Sequence, residues 1–178
     1  FAGKEIRVRE IRAAGRNQQA VEFVLRVPGK MERMYRGTLD VRITDGVLVP
    51  IVTMDREEAV ASVVAAETLG GTPLEALQAQ AVVTRSYFVA GGGRHTQFDF
   101  CDLTHCQFLR EAPRPGSLAA IAAEATRGLI ITFHNKPVAS MYTRSCGGRT
   151  LTPADIGISS RAYPYFSVAC ALCRTNPV

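Results

Sequence analysis

The stretch "TPLEALQAQAVVTRSYFVA", residues 72–90, contains the start and the body of one helix, and glycines follow it directly. Thr72 and Glu75 form the T-x-x-E pattern of a capping box, and Pro73 stands at the first helical position, where proline is favoured. The glycines that begin at Gly91 mark the end of the helix. The body is rich in alanine, so the sequence predicts a helix that packs closely against its neighbours.

A helical pattern also precedes this stretch, and another follows it. Asp55 and Glu58 form a capping-box-like start, after which three valines fall on one helical face: Val60, Val63 and Val64. Downstream, Ser117 precedes the alanine-rich "LAAIAAEATR", which Gly128 ends. The sequence therefore predicts three helices between residues 53 and 128.

Short stretches of alternating polar and apolar residues fill positions 1–52: "EIRVREI", "AVEFVLRV", "TLDVRIT" and "GVLVPIV". Turn signals join them, which is typical of antiparallel strands. Two hairpin strands, "LIITFH" and "PVASMYT", are predicted around Asn135. We therefore expect an α+β fold in one domain, residues 1–178, with a strand-rich part to residue 52, a helical part from 53 to 128 and a hairpin segment from 129 onward.

Composition restricts the classes of protein. Hydrophobic residues make up 47 % and charged residues 21 %, which is ordinary for a folded domain. The net charge of +5 is scattered along the chain, which fits binding to polyanions such as cell-wall polymers. Tryptophan is absent and no aromatic–basic motif occurs, so we expect no nucleic-acid partner. No apolar run approaches the roughly 18 residues of a membrane-spanning helix.

The ends of the chain give an expectation about processing. The sequence opens on Phe1 without a signal-peptide pattern, and we expect a trimmed chain whose targeting signal or anchor is missing. It stops abruptly in "CALCRTNPV", which suggests that further residues follow.

Glu67 is the most informative carboxylate. Glu67 stands three residues after Val64, on the same helical face as the three valines and at the C-terminal end of the helix. The pattern therefore predicts that the Glu67 side chain is buried. Desolvation and the negative end of the helix dipole both oppose ionisation, which makes this glutamate a candidate general acid. The alternative is a structural glutamate that turns to solvent past the helix end or forms an ion pair at the next turn.

The loop "RHTQFDFCDLTHCQ", residues 94–107, holds His95, Cys101, His105 and Cys106. Imidazole and thiolate ligands in a loop can hold a tetrahedral zinc, although this spacing is looser than the C-x2-C of common structural sites. His105 adjoins Cys106, which competes for the same approach to a metal. A disulfide between the two cysteines or two buried thiols are the alternatives, and spacing alone does not separate them.

Three further cysteines lie near the end of the chain. Cys146 is followed by two glycines in "RSCGGRT", and Cys170 and Cys173 form a C-x2-C pair. These three suit either a second metal site or one disulfide plus one thiol. A cysteine–histidine nucleophile pair that involves Cys146 or Cys106 is a further alternative, which nothing in the spacing favours.

Four segments resemble the stage II sporulation protein D family, which includes amidase enhancers of the bacterial cell wall. The segments are "VVAAE" ending at Glu67, "PLEALQAQAVVTRSYFVA", "FDFCDLTHCQF" and "ATRGLIITFHNKPVASMYTRSCGGRT". The resemblance extends from about Tyr35 to Cys173. It implies two lobes around a substrate groove, formed by the helical and the strand-rich parts.

The resemblance implies a lytic transglycosylase that cleaves peptidoglycan between N-acetylmuramic acid and N-acetylglucosamine, with Glu67 as the catalytic acid. A single glutamate suffices, because the 6-hydroxyl of muramic acid attacks in place of water. The resemblance also implies zinc on His95, Cys101 and Cys106, with His105 left out and the fourth position given to water or substrate. Four residues are expected to bind the glycan: Arg85, which alternatively positions its own helix, Gln107, Tyr142 and Ser145.

Two other functions remain open from the sequence. A non-catalytic enhancer would bind glycan and activate a separate cell-wall amidase. A zinc hydrolase that uses the His95 site would lose activity with chelators and release reducing ends. In each case we expect peptidoglycan as the partner and an extracytoplasmic, bacterial location.

Overall fold

An antiparallel sheet forms the N-terminal part of the computed structural model, which describes residues 10–92, 95–143, 146–157, 163, 165 and 169–175. Its strands are β1 (Glu10–Ala13), β2 (Val21–Val27), β3 (Met31–Thr44) and β4 (Val47–Thr53). The predicted sheet is therefore present. The first predicted strand lies largely in residues 1–9, outside the described residues.

Strand β3 organises the sheet, because it pairs with each of the other three strands. Its first half pairs with β2, and its second half pairs with β1 and β4. Gly37 stands where the partners change, with φ of 158°, and a Cβ there would lie 2.1 Å from the carbonyl oxygen of Thr53. The sequence pattern identified only the second half of β3, because the inward-facing Arg33 obscures the apolar alternation of the first half.

Helix starts follow the capping signals in two of three cases. Helix α1 (Arg56–Glu67) begins after Asp55, whose carboxylate accepts hydrogen bonds from the amides of Glu57 and Glu58. Helix α3 (Leu118–Ala125) begins after Ser117, whose hydroxyl accepts from the amide of Ala120. These contacts confirm both predicted caps.

The predicted cap of helix α2 (Leu74–Ala90) is wrong. Pro73 is the capping residue itself, and no side chain caps the helix. The Thr72 hydroxyl instead donates to the carbonyl oxygen of Leu69, 2.7 Å away, within the preceding turn. Even α2, the longest of the described helices, lacks the length and apolarity needed to cross a bilayer, as do the others that the structure describes.

Small side chains form the core between α1, α2 and α3. Its buried residues are Val60, Ala61, Val64, Leu77, Ala81, Ala119, Ala122 and Ala123. Alanine at most helix contacts lets the backbones approach closely, as the composition of α2 predicted. The α+β class is therefore confirmed, with helices packed on one another and a separate antiparallel sheet.

The predicted C-terminal hairpin is much shorter than its sequence pattern. Only β5 (Thr132–Phe133) and β6 (Lys136–Pro137) pair. One more hairpin bond runs from the amide of Val138 to the carbonyl oxygen of Ile131 at 3.0 Å. The flanking residues also bond to α2: the amide of Ile131 donates to Ser86 Oγ at 2.8 Å, and Ser140 Oγ donates to the carbonyl oxygen of Val83 at 2.9 Å. Two serine hydroxyls thus fix this segment against α2 and determine where Tyr142 lies. A short helix, α4 (Ala171–Thr175), lies near the C-terminus.

Candidate functional site

Glu67 is the last residue of α1, and its side chain is exposed. The predicted burial of this residue is therefore wrong. Val60, Val63 and Val64 are fully buried on the same helix, but the helix ends at Glu67 and Thr68 is already extended. The helical face continues as the periodicity predicted, while the packed core stops one turn earlier. The structure supports the alternative geometry, in which the carboxylate turns to solvent.

The Tyr142 hydroxyl lies beside the Glu67 carboxylate, within reach of a hydrogen bond. Partial burial raises the pKa of Tyr142 strongly, and the nearby negative charge of Glu67 raises it further. Burial disfavours the phenolate, and a second negative charge beside a carboxylate is disfavoured as well. Tyr142 is therefore a neutral hydrogen-bond donor next to the exposed carboxylate.

Gln107 supports Tyr142 from the protein interior. The Tyr142 hydroxyl lies 3.3 Å from Gln107 Oε1, to which it donates. The Gln107 residue is only 5 % exposed, whereas Tyr142 is 38 % exposed. The amide oxygen of Gln107 is thus engaged with Tyr142, and the expected contact of Gln107 with glycan stays a prediction.

Gln80 on α2 is a member of this group that the sequence analysis missed. Its side chain lies beside the Tyr142 hydroxyl, and its Nε2 is buried without a hydrogen-bond partner in the part of the chain that the structure describes. The signal in the sequence was a polar amide three residues after Leu77 on the buried face of the helix. We name Glu67, Gln80, Gln107 and Tyr142 the Glu67 group.

A second group consists of His95, Cys101, His105 and Cys106, which we name the His–Cys cluster. One ligand atom from each lies within 4.8 Å of the others. His95 Nε2 is 3.3 Å from Cys106 Sγ, and His105 Nδ1 is 3.7 Å and 3.5 Å from the sulfurs of Cys101 and Cys106. His105, which the sequence analysis excluded from the ligands, therefore belongs to the same cluster.

The chemistry of the cluster fits a metal ion. Two imidazole nitrogens and two sulfurs form a donor set that zinc prefers, in a number that completes a tetrahedron. The cysteines form no disulfide, although all five of the chain lie in its described part. The cluster can thus hold a metal, which the family resemblance implied and the spacing alone had left open beside a disulfide.

Contacts with the sheet and with α1 fix the loop that carries the cluster. Arg33 Nη1 on β3 donates to Asp102 Oδ2 at 2.6 Å, and Thr44 at the end of β3 is hydrogen bonded to Gln97. On the other side, Ser62 Oγ on α1 donates to the carbonyl oxygen of Arg110 at 2.8 Å. The loop therefore bridges the strand-rich and helical parts of the chain.

The two groups are joined through adjacent residues. Cys106 belongs to the His–Cys cluster, and the next residue, Gln107, holds the Tyr142 hydroxyl beside Glu67. A restraint on the backbone at Cys106 therefore also restrains Gln107, which is the next residue.

A cavity of about 980 Å³ lies between β3, β4, the end of α2 and the loop that holds the cluster. Cluster residues His95 and Cys101 line it, as does Gln107. Glu67 and Tyr142 are not among the described residues that line this cavity.

Arg85 does not face a substrate. It is 1 % exposed, and its Nε and Nη2 donate to the carboxylate of Glu57 at 2.8 Å and 2.6 Å. Nη1 donates to the carbonyl oxygen of Leu129, and Nη2 also donates to that of Ala123. The predicted role in binding glycan is therefore wrong, because the guanidinium is enclosed by protein groups. The alternative, that Arg85 positions its helix, agrees with these contacts.

The remaining predicted residue, Ser145, lies outside the described residues, so its expected contact with glycan stays a prediction. Thr84 and Ser86, which flank Arg85, are both fully buried. Ser86 has the structural role given above.

Comparison with known proteins supports the resemblance found in the sequence. A family model described as Stage II sporulation protein (SpoIID) matches residues 44–133, half of the 178-residue chain. No curated protein matches the chain. The matched span includes Glu67, Gln80, Gln107 and the His–Cys cluster and ends before Tyr142. The chain therefore belongs to the Stage II sporulation protein (SpoIID) family, whose function is related to sporulation and the cell wall.

Proposed function

We propose that the chain is a lytic transglycosylase that cleaves denuded peptidoglycan strands between N-acetylmuramic acid and N-acetylglucosamine. The observation that carries this proposal is the Glu67 group: an accessible carboxylate beside a phenol that stays neutral. Family membership provides the connection to the cell wall. The scattered net charge of +5 favours an anionic polymer.

Glu67 would serve as the acid and then as the base. A glycan placed over the exposed carboxylate removes it from water, and desolvation favours the protonated form that a general acid needs. Glu67 donates its proton to the glycosidic oxygen as the bond from that oxygen to the anomeric carbon breaks. The 6-hydroxyl of muramic acid bonds to the anomeric carbon and returns its proton to Glu67. The product is a 1,6-anhydro ring, and no water is consumed.

Tyr142 and Gln80 would orient the reacting groups. The neutral phenol can donate to the Glu67 carboxylate or to a sugar oxygen, and Gln107 limits its rotation from behind. The unpartnered Nε2 of Gln80 provides a second donor beside the phenol oxygen.

Zinc is the metal that we propose for the His–Cys cluster. His95, Cys101 and Cys106 would hold it, and His105 Nδ1 is close enough to both sulfurs to become the fourth ligand. A closed set of four protein ligands leaves no position for water, so the ion would stabilise the loop and supply no catalytic group. The cluster would then act by fixing Gln107, which follows Cys106 directly.

A non-catalytic enhancer is the second candidate. The cavity of about 980 Å³ favours it, because this binding space excludes Glu67. An enhancer would bind a partner there and would not need the carboxylate. Both functions require peptidoglycan as partner and an extracytoplasmic location in a bacterium, which we also propose.

The test is incubation of the purified chain with denuded glycan strands, followed by mass spectrometry of the products. We expect 1,6-anhydro-muramic ends from the wild type and a loss of about 100- to 10,000-fold in rate for Glu67→Gln, because a general acid contributes that much. Glu75→Gln is the matched control, since Glu75 is also an exposed helical glutamate, in the first turn of α2.

Three outcomes would contradict the proposal. An inactive wild type, or equal rates for wild type and Glu67→Gln, would remove the catalytic role. If the wild type and Glu67→Gln then both stimulate an added amidase, the enhancer function would be supported. Reducing ends whose formation stops with a chelator would indicate a zinc hydrolase.

A further inference from the structure

The last three cysteines of the chain lie close together in space, although 23 residues separate the first from the second. Sulfur atoms of Cys146, Cys170 and Cys173 all lie within 4.8 Å of one another, and each residue is half-buried. None of these residues belongs to the Glu67 group or to the His–Cys cluster. We name them the three-cysteine cluster.

Backbone contacts hold the two arms of this cluster together. The amide of Cys170 donates to the carbonyl oxygen of Gly148 at 2.8 Å, and Arg149 pairs with Ala169 in an antiparallel bridge. Cys173 follows three residues after Cys170, on the first turn of α4. The carbonyl oxygen of Cys170 accepts from the amide of Arg174 at 3.3 Å, so both cysteines stand on one turn of backbone.

Glycines after Cys146 shape the other arm around its sulfur. Gly147 and Gly148 have φ of 63° and 105°, which favour glycine, and a Cβ at Gly148 would lie 3.0 Å from Cβ of Arg174. The turn lets the amide of Gly148 donate to the sulfur of Cys146. This donor and the glycine turn hold the sulfur of Cys146 close to those of Cys170 and Cys173.

The structure assigns these three residues to a second zinc site, independent of the proposed function. Zinc at about 2.3 Å from each sulfur would need sulfurs roughly 3.8 Å apart, which is within the spacing observed. A disulfide would use two of the three sulfurs and leave one over, whereas one ion uses all three. The fourth position is open to water. Such an ion would crosslink residues 146–149 to residues 169–175, where little regular structure is present.

Zinc content is the first measurement, made on chain purified under reducing conditions by elemental analysis and native mass spectrometry. We expect two ions in the wild type when both sites are filled, and the loss of one ion in Cys170→Ser/Cys173→Ser. Cys101→Ser/Cys106→Ser should lose the other ion. Leu172→Ala is the matched control, because its side chain is exposed between the two cysteines and should leave zinc content unchanged.

The variants also separate this inference from the zinc of the proposed function. One ion in the wild type that disappears with Cys170→Ser/Cys173→Ser would support the three-cysteine cluster and refute the His–Cys site. One ion that persists in that variant would overturn the three-cysteine site.

Alkylation of the wild type provides a readout that does not depend on the folding of a variant. Bound zinc should protect Cys146, Cys170 and Cys173 from iodoacetamide, and a chelator should remove the protection, as peptide mapping would measure. Equal alkylation with and without chelator, or a disulfide between any two of the three, would overturn the inference.

Discussion

At the scale of one residue, Tyr142 contacts both the buried Gln107 and the exposed Glu67. Its ring is partly exposed, its hydroxyl donates to the buried Gln107, and the exposed Glu67 carboxylate lies beside the same hydroxyl. Burial and the carboxylate both oppose loss of the phenolic proton, so the pKa of Tyr142 is raised in the folded chain. The hydroxyl therefore stays protonated at neutral pH and acts as a donor, not as a base.

The raised pKa predicts a stability change at alkaline pH. An unfolded tyrosine loses its proton near about pH 10, whereas folded Tyr142 retains it to higher pH. Above that pH the unfolded state binds fewer protons than the folded state, so the free energy of unfolding falls as pH rises. We expect the melting temperature of the wild type to fall more steeply from about pH 9 to about pH 11 than that of Tyr142→Phe.

Parallel curves for wild type and Tyr142→Phe would show that Tyr142 titrates normally. The measurement is thermal unfolding followed by circular dichroism.

Arg85 connects three helices at the scale of the elements. It stands on α2, pairs with Glu57 in the first turn of α1, and donates to the carbonyl oxygen of Ala123 near the end of α3. The pair is buried, with side-chain exposures of 1 % and 12 %. A planar guanidinium with several fixed donors can serve all these acceptors at once, which a lysine cannot.

Arg85→Met should destabilise the chain by about 3–5 kcal/mol, because it leaves the Glu57 carboxylate and two carbonyl oxygens without their donor in the interior. Urea unfolding measures this change. Arg127→Met is the matched control: Arg127 also pairs with a glutamate, Glu124, but both side chains are exposed, so little change is expected. Similar losses for the two variants would disprove the structural role of Arg85.

At the scale of the whole molecule, the loop with the His–Cys cluster connects the sheet to helix α1. Hydrogen bonds from β3 and from α1 hold its two ends, and its last residue, Gln107, supports Tyr142. A metal in the cluster would stabilise all of these contacts together.

Zinc binding at the His–Cys cluster should therefore stabilise the fold. In the Cys170→Ser/Cys173→Ser background, zinc should raise the melting temperature, since a ligand at 1,000 times its dissociation constant contributes about 4 kcal/mol. His105→Ala should weaken zinc binding at least tenfold if His105 is a ligand, as losses of that size already follow from outer-shell changes. Competition with a chromophoric chelator measures the affinity.

His134→Ala is the matched control, because His134 is exposed in the β5–β6 turn and stands outside the cluster. Unchanged zinc affinity in His105→Ala would show that His105 is not a zinc ligand. The fourth position on zinc would then belong to water or substrate, as the resemblance implied. Zinc that has no effect on melting would refute the stabilising role.

Local physical rules were sufficient for much of this fold. The carboxylate of Asp55 and the hydroxyl of Ser117 satisfy amides within three residues, so their helix starts could be predicted from the sequence. The Asp45–Gly46 turn, with φ of 51° and 77°, is equally local and joins β3 to β4 as expected. The grouping of His95, Cys101 and Cys106 within twelve residues also needed only a loop.

Tertiary structure alone decided the features that depend on distant contacts. Periodicity identifies the face of α1 that carries Glu67, but whether the core extends to its last turn depends on what packs there, and the carboxylate proved exposed. Arg85 can be buried because its guanidinium donates hydrogen bonds to Glu57 and to two carbonyl oxygens. Cys146 lies beside Cys170 because a backbone bridge joins segments that spacing cannot relate. The sequence determined the elements and the chemical groups, and long-range packing determined which groups meet.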